Sequence, residues 1–332
     1  MTPGRGSCGS KARWRMVSGL FGTGRSEGAA GHGESHGKKS GETMERFEEW
    51  MAEEIRHFVR DDPSNRLERL DGSAIFGEPL VGYAAGDDAI FDELKQVIGE
   101  FHLTPQEVMT AAAERRGLPV PRADELGVIS FVLPLSNQTR RENARSKDHP
   151  SERWAHTRLF GEECKRKLET HVVSLLEERG LLAVAPEHDE ELFRIFIDET
   201  VGWTSRWSQR HVAFAAGLGS FGLSDGLITP VGKAHRVGSV VVGRRLESSP
   251  RPEDIHRDCL SYRGLSCRKC MKRCPVGAIT EDGHDKARCM PYVFEQIPFI
   301  KEHYDIEIYA CGLCQAGVPC ERGIPKAGEE SG

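Results

Sequence analysis

The stretch "SCRKCMKRCPVGAI", residues 266–279, decides how the last part of the chain folds. Within it, Cys267, Cys270 and Cys274 follow the spacing C-x2-C-x3-C, and a proline comes directly after the third cysteine. This is three quarters of the pattern C-x2-C-x2-C-x3-C-P, whose thiolates bind iron–sulfur clusters. The first cysteine of that pattern would stand at position 264, where the chain has Gly264. Either the site is incomplete, or a cysteine from another segment completes it.

The cysteines are concentrated near the C-terminal end. The chain has 332 residues and 10 cysteines, and only Cys8 and Cys164 lie outside the last quarter. The other eight are Cys259, Cys267, Cys270, Cys274, Cys289, Cys311, Cys314 and Cys320. Disulfides are rare in cytosolic proteins, so dense cysteines in such a chain indicate metal binding.

Composition and charge restrict the class of protein. Lys and Arg number 45 and Asp and Glu number 51, which gives a formal net charge of −6. A net negative charge argues against nucleic acid as the main partner. No stretch approaches the roughly 18 apolar residues of a membrane span, and the N-terminus lacks the apolar core of a signal peptide. We therefore predict a cytoplasmic protein with no membrane partner.

The chain divides into four parts by composition. Residues 1–43 are rich in Gly, Ser, Lys and Arg and are predicted to be disordered, so that translation could also start at Met44. Residues 44–255 carry the apolar periodicity of an α/β domain. Residues 256–325 hold the cysteines on short segments with little apolar content, and 326–332 form a tail.

Helical and strand patterns alternate in the 44–255 region. Apolar residues at helical spacing predict helices from Met44 and over 88–101. Thr104, followed three residues later by a glutamate, predicts a capping box, and Ser151 predicts the start of a long helix that ends at Gly180. The apolar runs "GVISFVLPL", "LLAVA", "FRIFID" and "RVGSVVVG" are predicted as buried strands. This alternation predicts an α/β fold.

Eight cysteines are enough for two [4Fe–4S] clusters, because each cluster takes four thiolates. In two-cluster proteins the cysteine before the proline ligates the other cluster, so Cys274 leaves the group of Cys267 and Cys270. The first predicted set is Cys259, Cys267, Cys270 and Cys320. The second predicted set is Cys274, Cys289, Cys311 and Cys314. On this assignment Cys259 replaces the cysteine that is absent at position 264.

Two alternatives remain open from the residues alone. The pairs Cys267/Cys270 and Cys311/Cys314 could form a zinc ribbon, which needs four thiolates. That alternative leaves four nearby cysteines without a function and does not explain the Cys-Pro step. A single cluster is the other alternative. Cys164 lies within a helical pattern and is predicted to be a buried structural thiol.

Four segments between residues 203 and 324 occur in an order that resembles epoxyqueuosine reductases and, through them, the corrinoid-dependent reductive dehalogenases. They are "AAGLGSFGLSDGLITPVGKAHRVGSVVVG", "CMKRCPVGAI", "HDKARCMPYVFE" and "ACGLCQAGVPC". The resemblance implies a nitroreductase-like α/β (α+β) domain that holds cobalamin, followed by a ferredoxin-like module with two [4Fe–4S] clusters. It also implies electron delivery to cobalt from a low-potential donor such as ferredoxin or flavodoxin.

The resemblance further implies a cobalamin pocket within residues 203–239. The residues assigned to it are Ser205, Arg206, Gly217, Gly219, Gly222, Thr229, Lys233, Arg236 and Ser239. Glycines would allow the backbone to approach a planar ligand, and Arg and Lys would donate to its polar groups. The alternatives are a glycine-rich turn and a solvated polar face. "GLGSFG" matches G-x-G-x-x-G literally but follows a helical pattern, which does not predict a dinucleotide site.

Asp198 is the predicted proton donor. It ends the apolar run "FRIFID", and ligands gather at the carboxyl ends of strands in α/β sheets. Epoxyqueuosine reductases have an acidic general acid at the corresponding strand end, so the resemblance implies the same role for Asp198. The neighbouring Glu199 and a plain surface carboxylate are the alternatives.

Three functions share these iron–sulfur features. The first is a cobalamin-dependent reductase of an unidentified substrate, the second an electron-transfer protein, and the third a corrinoid-handling protein without its own organic substrate. The sequence lacks the HEAT-repeat segment that helps epoxyqueuosine reductases hold tRNA, and its net charge is negative. tRNA is therefore not the expected partner.

Overall fold

The computed structural model describes residues 37–328 of the chain, with side chains from residue 47 onward. Its main sheet has four strands in the order β1-β2-β8-β3, and each neighbouring pair is antiparallel. These strands are β1 (Leu80–Ala85), β2 (Gly127–Pro134), β3 (Ala183–Val184) and β8 (His235–Val242). The three apolar runs predicted as strands at β2, β3 and β8 are confirmed. The mixed α/β class is confirmed as well, although the sheet contains only antiparallel pairs.

The remaining strands form three two-stranded ribbons outside the main sheet. They pair as β4 (Ile195–Asp198) with β5 (Gly202–Ser205), β6 (Ser220–Phe221) with β7 (Leu227–Ile228), and β9 (Ile279–Thr280) with β10 (Gly283–His284). The first two ribbons lie between β3 and β8 in the sequence, the third lies between Cys274 and Cys289, and the β4/β5 ribbon carries the predicted site residues Asp198 and Ser205.

Eight α-helices are described. They are α1 (Gly37–Asp61), α2 (Ile90–Ile98), α3 (Pro105–Arg116), α4 (Asn137–Arg145), α5 (Glu152–Glu177), α6 (Gln209–Ala215), α7 (Lys269–Lys272) and α8 (Lys286–Tyr304). The capping box at Thr104 and the cap at Ser151 are confirmed. The first helix begins at Gly37 rather than Met44, and the rest of the predicted N-terminal extension lies outside the described residues. Within residues 37–328, no helix combines the length and apolar character needed to cross a bilayer.

The sheet is buried on both faces. Val128 and Val132 of β2 pack with α2, α3 and α6, whereas Ile129, Phe131 and Leu133 pack with α1 and α5. Successive side chains of a strand point to opposite faces, so a strand covered on both sides is apolar throughout. This is why β2 appears in the sequence as a continuous apolar run.

The prediction that "FRIFID" forms a buried strand is wrong. β4 pairs only with β5, and Ile195 and Ile197 are 54% and 66% exposed. Phe196, which alternates with them, lies against the Phe101 ring at 4.9 Å between centroids. Only one side of this ribbon meets the core, so its apolar content does not indicate burial on both faces.

The cysteine-rich region shares the core of the α/β region. Ile300 of α8, Ile306, Ala310 and Ala316 belong to the same apolar cluster as α1, α5 and one face of β2. The predicted boundary near residue 255 is therefore not a break in packing. Short segments with few apolar residues gain their stability from this shared core.

A cluster of charged side chains is buried between α5 and β8. The ammonium of Lys165 is 3% exposed, lies 2.7 Å from Glu162 Oε1 and 3.8 Å from Glu169 Oε1, and also contacts Glu187. Glu169 Oε2 in turn accepts a hydrogen bond from His188 Nε2 at 2.9 Å. Burial raises the pKa of Glu187 despite the neighbouring ammonium. The positive charge of Lys165 thus offsets the cost of burying several carboxylates.

Replacing Lys165 by methionine is expected to lower the free energy of unfolding at pH 7 by about 3–5 kcal/mol, because removing one partner leaves buried charge unpaired. The matched control is Lys167→Met on the exposed side of α5, where we expect a change within about 0.5 kcal/mol. Without the ammonium the carboxyl pKa values rise in the folded state. The deficit should therefore be smallest below pH 5 and grow toward neutral pH. Urea unfolding of both variants at pH 5 and pH 7 measures this, and equal losses would contradict it.

Candidate metal centre

Four cysteines line one cavity. Cys259, Cys267, Cys270 and Cys320 surround one small cavity that is partly open to solvent. These are the four residues of the first predicted set. Gly222, Ile228 and Lys233 of the α/β region contribute to the wall of the same cavity, which lies where the ribbon β6/β7 meets the cysteine-bearing loops.

A tight turn places Cys259 in this cavity. The amide of Arg263 donates to the Cys259 carbonyl at 3.0 Å, and the amide of Leu265 donates to the Leu260 carbonyl at 3.0 Å. Gly264 completes the turn with a φ of +80°, a conformation that favours glycine. The position at which the four-cysteine pattern would have its first cysteine is thus occupied by a turn residue, and Cys259 at the start of the turn faces the cavity instead.

The second group of cysteines lies on α8 and on the loops beside it. Cys289 is in the first turn of α8, and Cys274 directly follows α7. Burial, together with the neighbouring Cys314 and Cys274 thiols, raises the pKa of Cys289 and of Cys311 to about 12. The four thiols of the second predicted set thus influence one another, and Cys314 also influences Cys270 of the first set.

The loop that carries Cys311 and Cys314 is fixed by the α/β region. Gly312, at a φ of +66°, lies against the Trp154 ring of α5, and any side chain at this position would overlap that ring. The Asn143 side-chain amide of α4 donates to the Cys311 carbonyl at 3.3 Å. These contacts explain the glycine between the two cysteines and orient their thiols.

Arg273 provides a second tie between the loops and the α/β region. Its guanidinium donates to the carbonyls of Leu313 and Ala316 at 3.1 Å each, to that of Ser146 at 2.8 Å and to that of Asn143 at 2.9 Å. One side chain from the segment 266–279 therefore holds the Cys311/Cys314 loop and α4 together.

The grouping of the cysteines bears on the zinc-ribbon alternative. Within residues 37–328, no three His, Cys, Asp or Glu side chains converge on a point where they could hold one metal ion. Zinc needs its four sulfurs about 2.3 Å from one point, whereas each thiolate of a [4Fe–4S] cluster binds a different iron. The zinc-ribbon alternative would also join Cys267 and Cys270 to the other loop pair, but they line a cavity with Cys259 and Cys320.

Lys233 points to an anionic occupant of the cavity. Its side chain is buried, and Nζ donates to Ser224 Oγ at 2.9 Å. No carboxylate of the described residues pairs with it. Burial alone would lower the pKa of Lys233, but the negative charge of the nearby cysteines, Cys320 foremost, raises it instead. A buried ammonium needs a compensating negative charge, which a thiolate-bound cluster would provide.

The loop before Lys233 is docked on the segment that carries Cys320. The amide of Lys233 donates to the Cys320 carbonyl at 2.9 Å, and the Thr229 hydroxyl donates to the Gly232 carbonyl at 2.7 Å. Gly232 has a φ of +89° and lies against the backbone of Glu321. The segment "TPVGK" thus forms part of the wall between the sheet and the cysteines.

The nine residues assigned to cobalamin do not converge on one cavity. Gly222 and Lys233 line the cysteine cavity. Thr229 is buried in the "TPVGK" loop. Arg236 and Ser239 alternate on β8, so their side chains lie on opposite faces of the sheet.

The other assigned residues have partners within the protein. The Ser205 hydroxyl donates to the Trp207 carbonyl at 2.9 Å, and the Arg206 guanidinium donates to the Glu191 carbonyl at 2.6 Å. Gly217 and Gly219 lie so close to the backbones of Pro250 and Ile228 that a Cβ at either position would overlap them.

Three polar atoms in the same region lack a hydrogen-bond partner. They are buried nitrogens of Gln209 (Nε2), His235 (Nδ1) and Arg236 (Nε). Gln209 was not among the residues assigned from the sequence. A glutamine in the first turn of a short helix carries no local signal of this kind, because its burial depends on contact with Ser239 of β8, whose hydroxyl donates to it at 2.7 Å.

Asp198 lies at the end of β4 in the partly exposed ribbon. Its Oδ1 accepts hydrogen bonds from the amides of Thr200 at 2.8 Å and Val201 at 3.0 Å. This carboxylate therefore closes the turn to β5, and Oδ2 has no partner in the described part of the chain. The ribbon meets the cysteine-rich region through Lys286, whose ammonium donates to the Trp203 carbonyl at 3.1 Å.

Curated relatives are similar to this chain over different lengths. Epoxyqueuosine reductase of Bacillus anthracis is 32% identical over 129 residues, which are 36% of this chain and 31% of that protein. Epoxyqueuosine reductase of Bacillus subtilis is 25% identical over 275 residues, 77% of this chain and 63% of that protein. The matches thus span about a third to under two thirds of the relatives' own lengths. The predicted resemblance to the epoxyqueuosine reductase superfamily is confirmed.

Two kinds of solved structure are similar to part of this chain. An epoxyqueuosine reductase with a tRNA-Tyr stem loop has a TM-score of 0.46 at 17% identity, covering 85% of this chain and 67% of that chain. A reductive dehalogenase described for B12-dependent dehalogenation has a TM-score of 0.45 at 15% identity, covering 76% of this chain and 31% of that chain. No protein-family model matches the chain.

Substituting alanine for Gly232 is expected to displace the Cys320 segment, because a Cβ there would overlap the Glu321 backbone. After anaerobic reconstitution, Gly232→Ala should retain about half of the wild-type iron. Gly264→Ala is the matched control: Gly264 has a similar positive φ, but its Cβ would meet nothing within 4 Å. It should keep its iron and lose only about 1 kcal/mol of stability. Equal iron loss in both variants would mean that backbone strain, not the overlap, is responsible.

Proposed function

We propose that this protein is a cytoplasmic iron–sulfur oxidoreductase that passes electrons through two [4Fe–4S] clusters to an acceptor bound by its α/β region. Cys259, Cys267, Cys270 and Cys320 would hold one cluster. Cys274, Cys289, Cys311 and Cys314 would hold the other. When bound, the clusters would supply one-electron carriers. The similarity to epoxyqueuosine reductases supports a reductase, and tRNA is not part of the proposal.

The cysteine cavity carries this proposal. Four cysteines from three separate segments line it together with a buried ammonium that has no carboxylate partner. A structural apolar core would not retain an unpaired lysine, since burying a charge without a counter-charge is costly. The cavity therefore combines thiolate ligands with a group that favours an anionic occupant.

Asp198, at the end of β4, would donate a proton to the substrate of the proposed reductase. Two backbone amides fix Oδ1 of Asp198, and Oδ2 has no hydrogen-bond partner within residues 37–328. The ribbon packs on α8 through Trp203 and Phe294, with ring centroids 5.6 Å apart. This contact keeps Asp198 on an element that touches the helix bearing Cys289. The substrate itself is unidentified.

The electron donor is proposed to be a low-potential acidic redox protein such as ferredoxin or flavodoxin. Arg263 and Lys272 are exposed near Cys267 and Cys270, and the partly exposed Lys269 lines their cavity. None of these three cations pairs with a carboxylate within residues 37–328. A surface of unpaired cations attracts an acidic partner and speeds its encounter.

Cobalamin is the acceptor that the resemblance implies, and the structure offers partial support for it. The unpartnered nitrogens of Gln209, His235 and Arg236 could bind a polar ligand. The nine residues assigned to cobalamin, however, do not line one shared cavity. That divergence favours a second candidate function, a two-cluster electron-transfer protein or a corrinoid-handling protein without its own substrate.

Anaerobically purified protein is expected to contain about eight iron and eight sulfide per chain, because two clusters need eight cysteines. Cys259→Ser should lose or convert one cluster although it lies outside the usual motif. Cys164→Ser is the control, since Cys164 is fully buried in the α5 core, and its iron content should equal that of wild type. Stoichiometric zinc with little iron, or full clusters in Cys259→Ser, would contradict the assignment.

The cobalamin prediction is tested by titrating the cluster-loaded protein with cob(II)alamin and recording electron paramagnetic resonance. Binding at micromolar protein should alter the cobalt signal. Arg236→Gln should weaken the binding, because the buried Nε of Arg236 has no hydrogen-bond partner and could donate to the ligand. Arg206→Gln is the comparison, since its guanidinium already meets a backbone carbonyl. A signal identical to that of free cobalamin would leave electron transfer as the function.

A further inference from the structure

We propose that Lys233 is a fixed positive charge that raises the reduction potential of the cluster held by Cys259, Cys267, Cys270 and Cys320. This inference rests on the proposed function, since it concerns one of the two clusters. It gives the "TPVGK" loop a role in tuning electron transfer, in place of the cobalamin contact assigned to Lys233 from the sequence.

The position of Lys233 is specific to one cluster site. Its side chain is 3% exposed and lines the cavity of the first cysteine set. The Lys233 amide also donates to the carbonyl of Cys320, a member of that set, at 2.9 Å. The ammonium therefore lies beside the first cluster site.

The backbone fixes the ammonium in this position. The amide of Lys233 donates to the Cys320 carbonyl, and Nζ donates to Ser224 Oγ. Gly232 allows the close approach to Glu321, and Thr229 closes the turn by its hydrogen bond to the Gly232 carbonyl. A lysine held at both its amide and its ammonium cannot move its charge out into solvent as a surface lysine does.

Charge near a cluster changes its potential because one-electron reduction adds a negative charge to the site. A buried cation stabilises the reduced form more than the oxidised form, and low solvent access strengthens this effect. The second set has a different environment: Arg273 lies near Cys311 and Cys314, but its guanidinium is only partly buried and donates to four backbone carbonyls. Removing Lys233 should therefore lower one potential more than the other.

The decisive variant is Lys233→Met, which keeps the length of the side chain and removes its charge, compared with Lys233→Arg, which keeps the charge. Both are reconstituted anaerobically, their iron is counted, and each cluster is followed by a redox titration with electron paramagnetic resonance. We expect Lys233→Met to make reduction of one cluster about tenfold less favourable, or about 59 mV for a one-electron couple, with a smaller shift in the other. Lys233→Arg should stay near wild type.

Lys269→Met serves as the control for burial, because Lys269 lines the same cavity but is partly exposed to solvent that screens its charge. Its shift should be the smaller one. If Lys233→Met loses a cluster that Lys233→Arg retains, the need for a charge is supported. Unchanged potentials in Lys233→Met, or equal shifts in Lys233→Met and Lys269→Met, would overturn the inference while leaving the two-cluster proposal intact. A wild-type protein without iron would overturn both.

Discussion

The cysteine-bearing loops of this protein are too short and too poor in apolar residues to fold alone, so each is held by the sheet and helices beside it. Trp154 of α5 lies against Gly312, Arg273 joins α4 to the Cys311/Cys314 loop, and the amide of Lys233 holds the Cys320 carbonyl. The thiols are thus positioned by the α/β region before any metal contributes. A pre-formed ligand set costs less ordering when the cluster binds.

The same contacts explain why charge and cysteine position are linked. Lys233 and Arg273 are both cations that reach the cysteine loops. Lys233 is buried without a carboxylate partner, whereas Arg273 donates its hydrogen bonds to backbone carbonyls. The first contributes mainly charge and the second mainly structure. If the two proposed clusters bind, these neighbours would give them different properties although the clusters themselves are chemically alike.

The sequence predicted the fold correctly where a local pattern alone determines the structure. The apolar run of β2 predicted its burial, and the Thr104 capping box predicted a helix start. The cysteine before the proline predicted two interleaved sets, of which the first lines one cavity. The errors arose where distant contacts decide: Ile195 and Ile197 are exposed because β4 stays outside the sheet. Likewise, the environment of Lys233 depends on Gly232 meeting Glu321, far along the chain, which no local pattern records.

The shared core has a consequence for how the protein is made. Met51 and Ile55 of α1 pack in the same apolar cluster as Ile300 and Ile306, which are among the last residues of the described chain to be synthesised. Contacts between such distant segments form late, because the entropic cost of closing a long loop comes before any stabilisation from the contacts. The ribosome must therefore release most of this chain before its core can close. Insertion of the proposed clusters would then follow folding of the whole unit, so the apoprotein would fold before it is loaded.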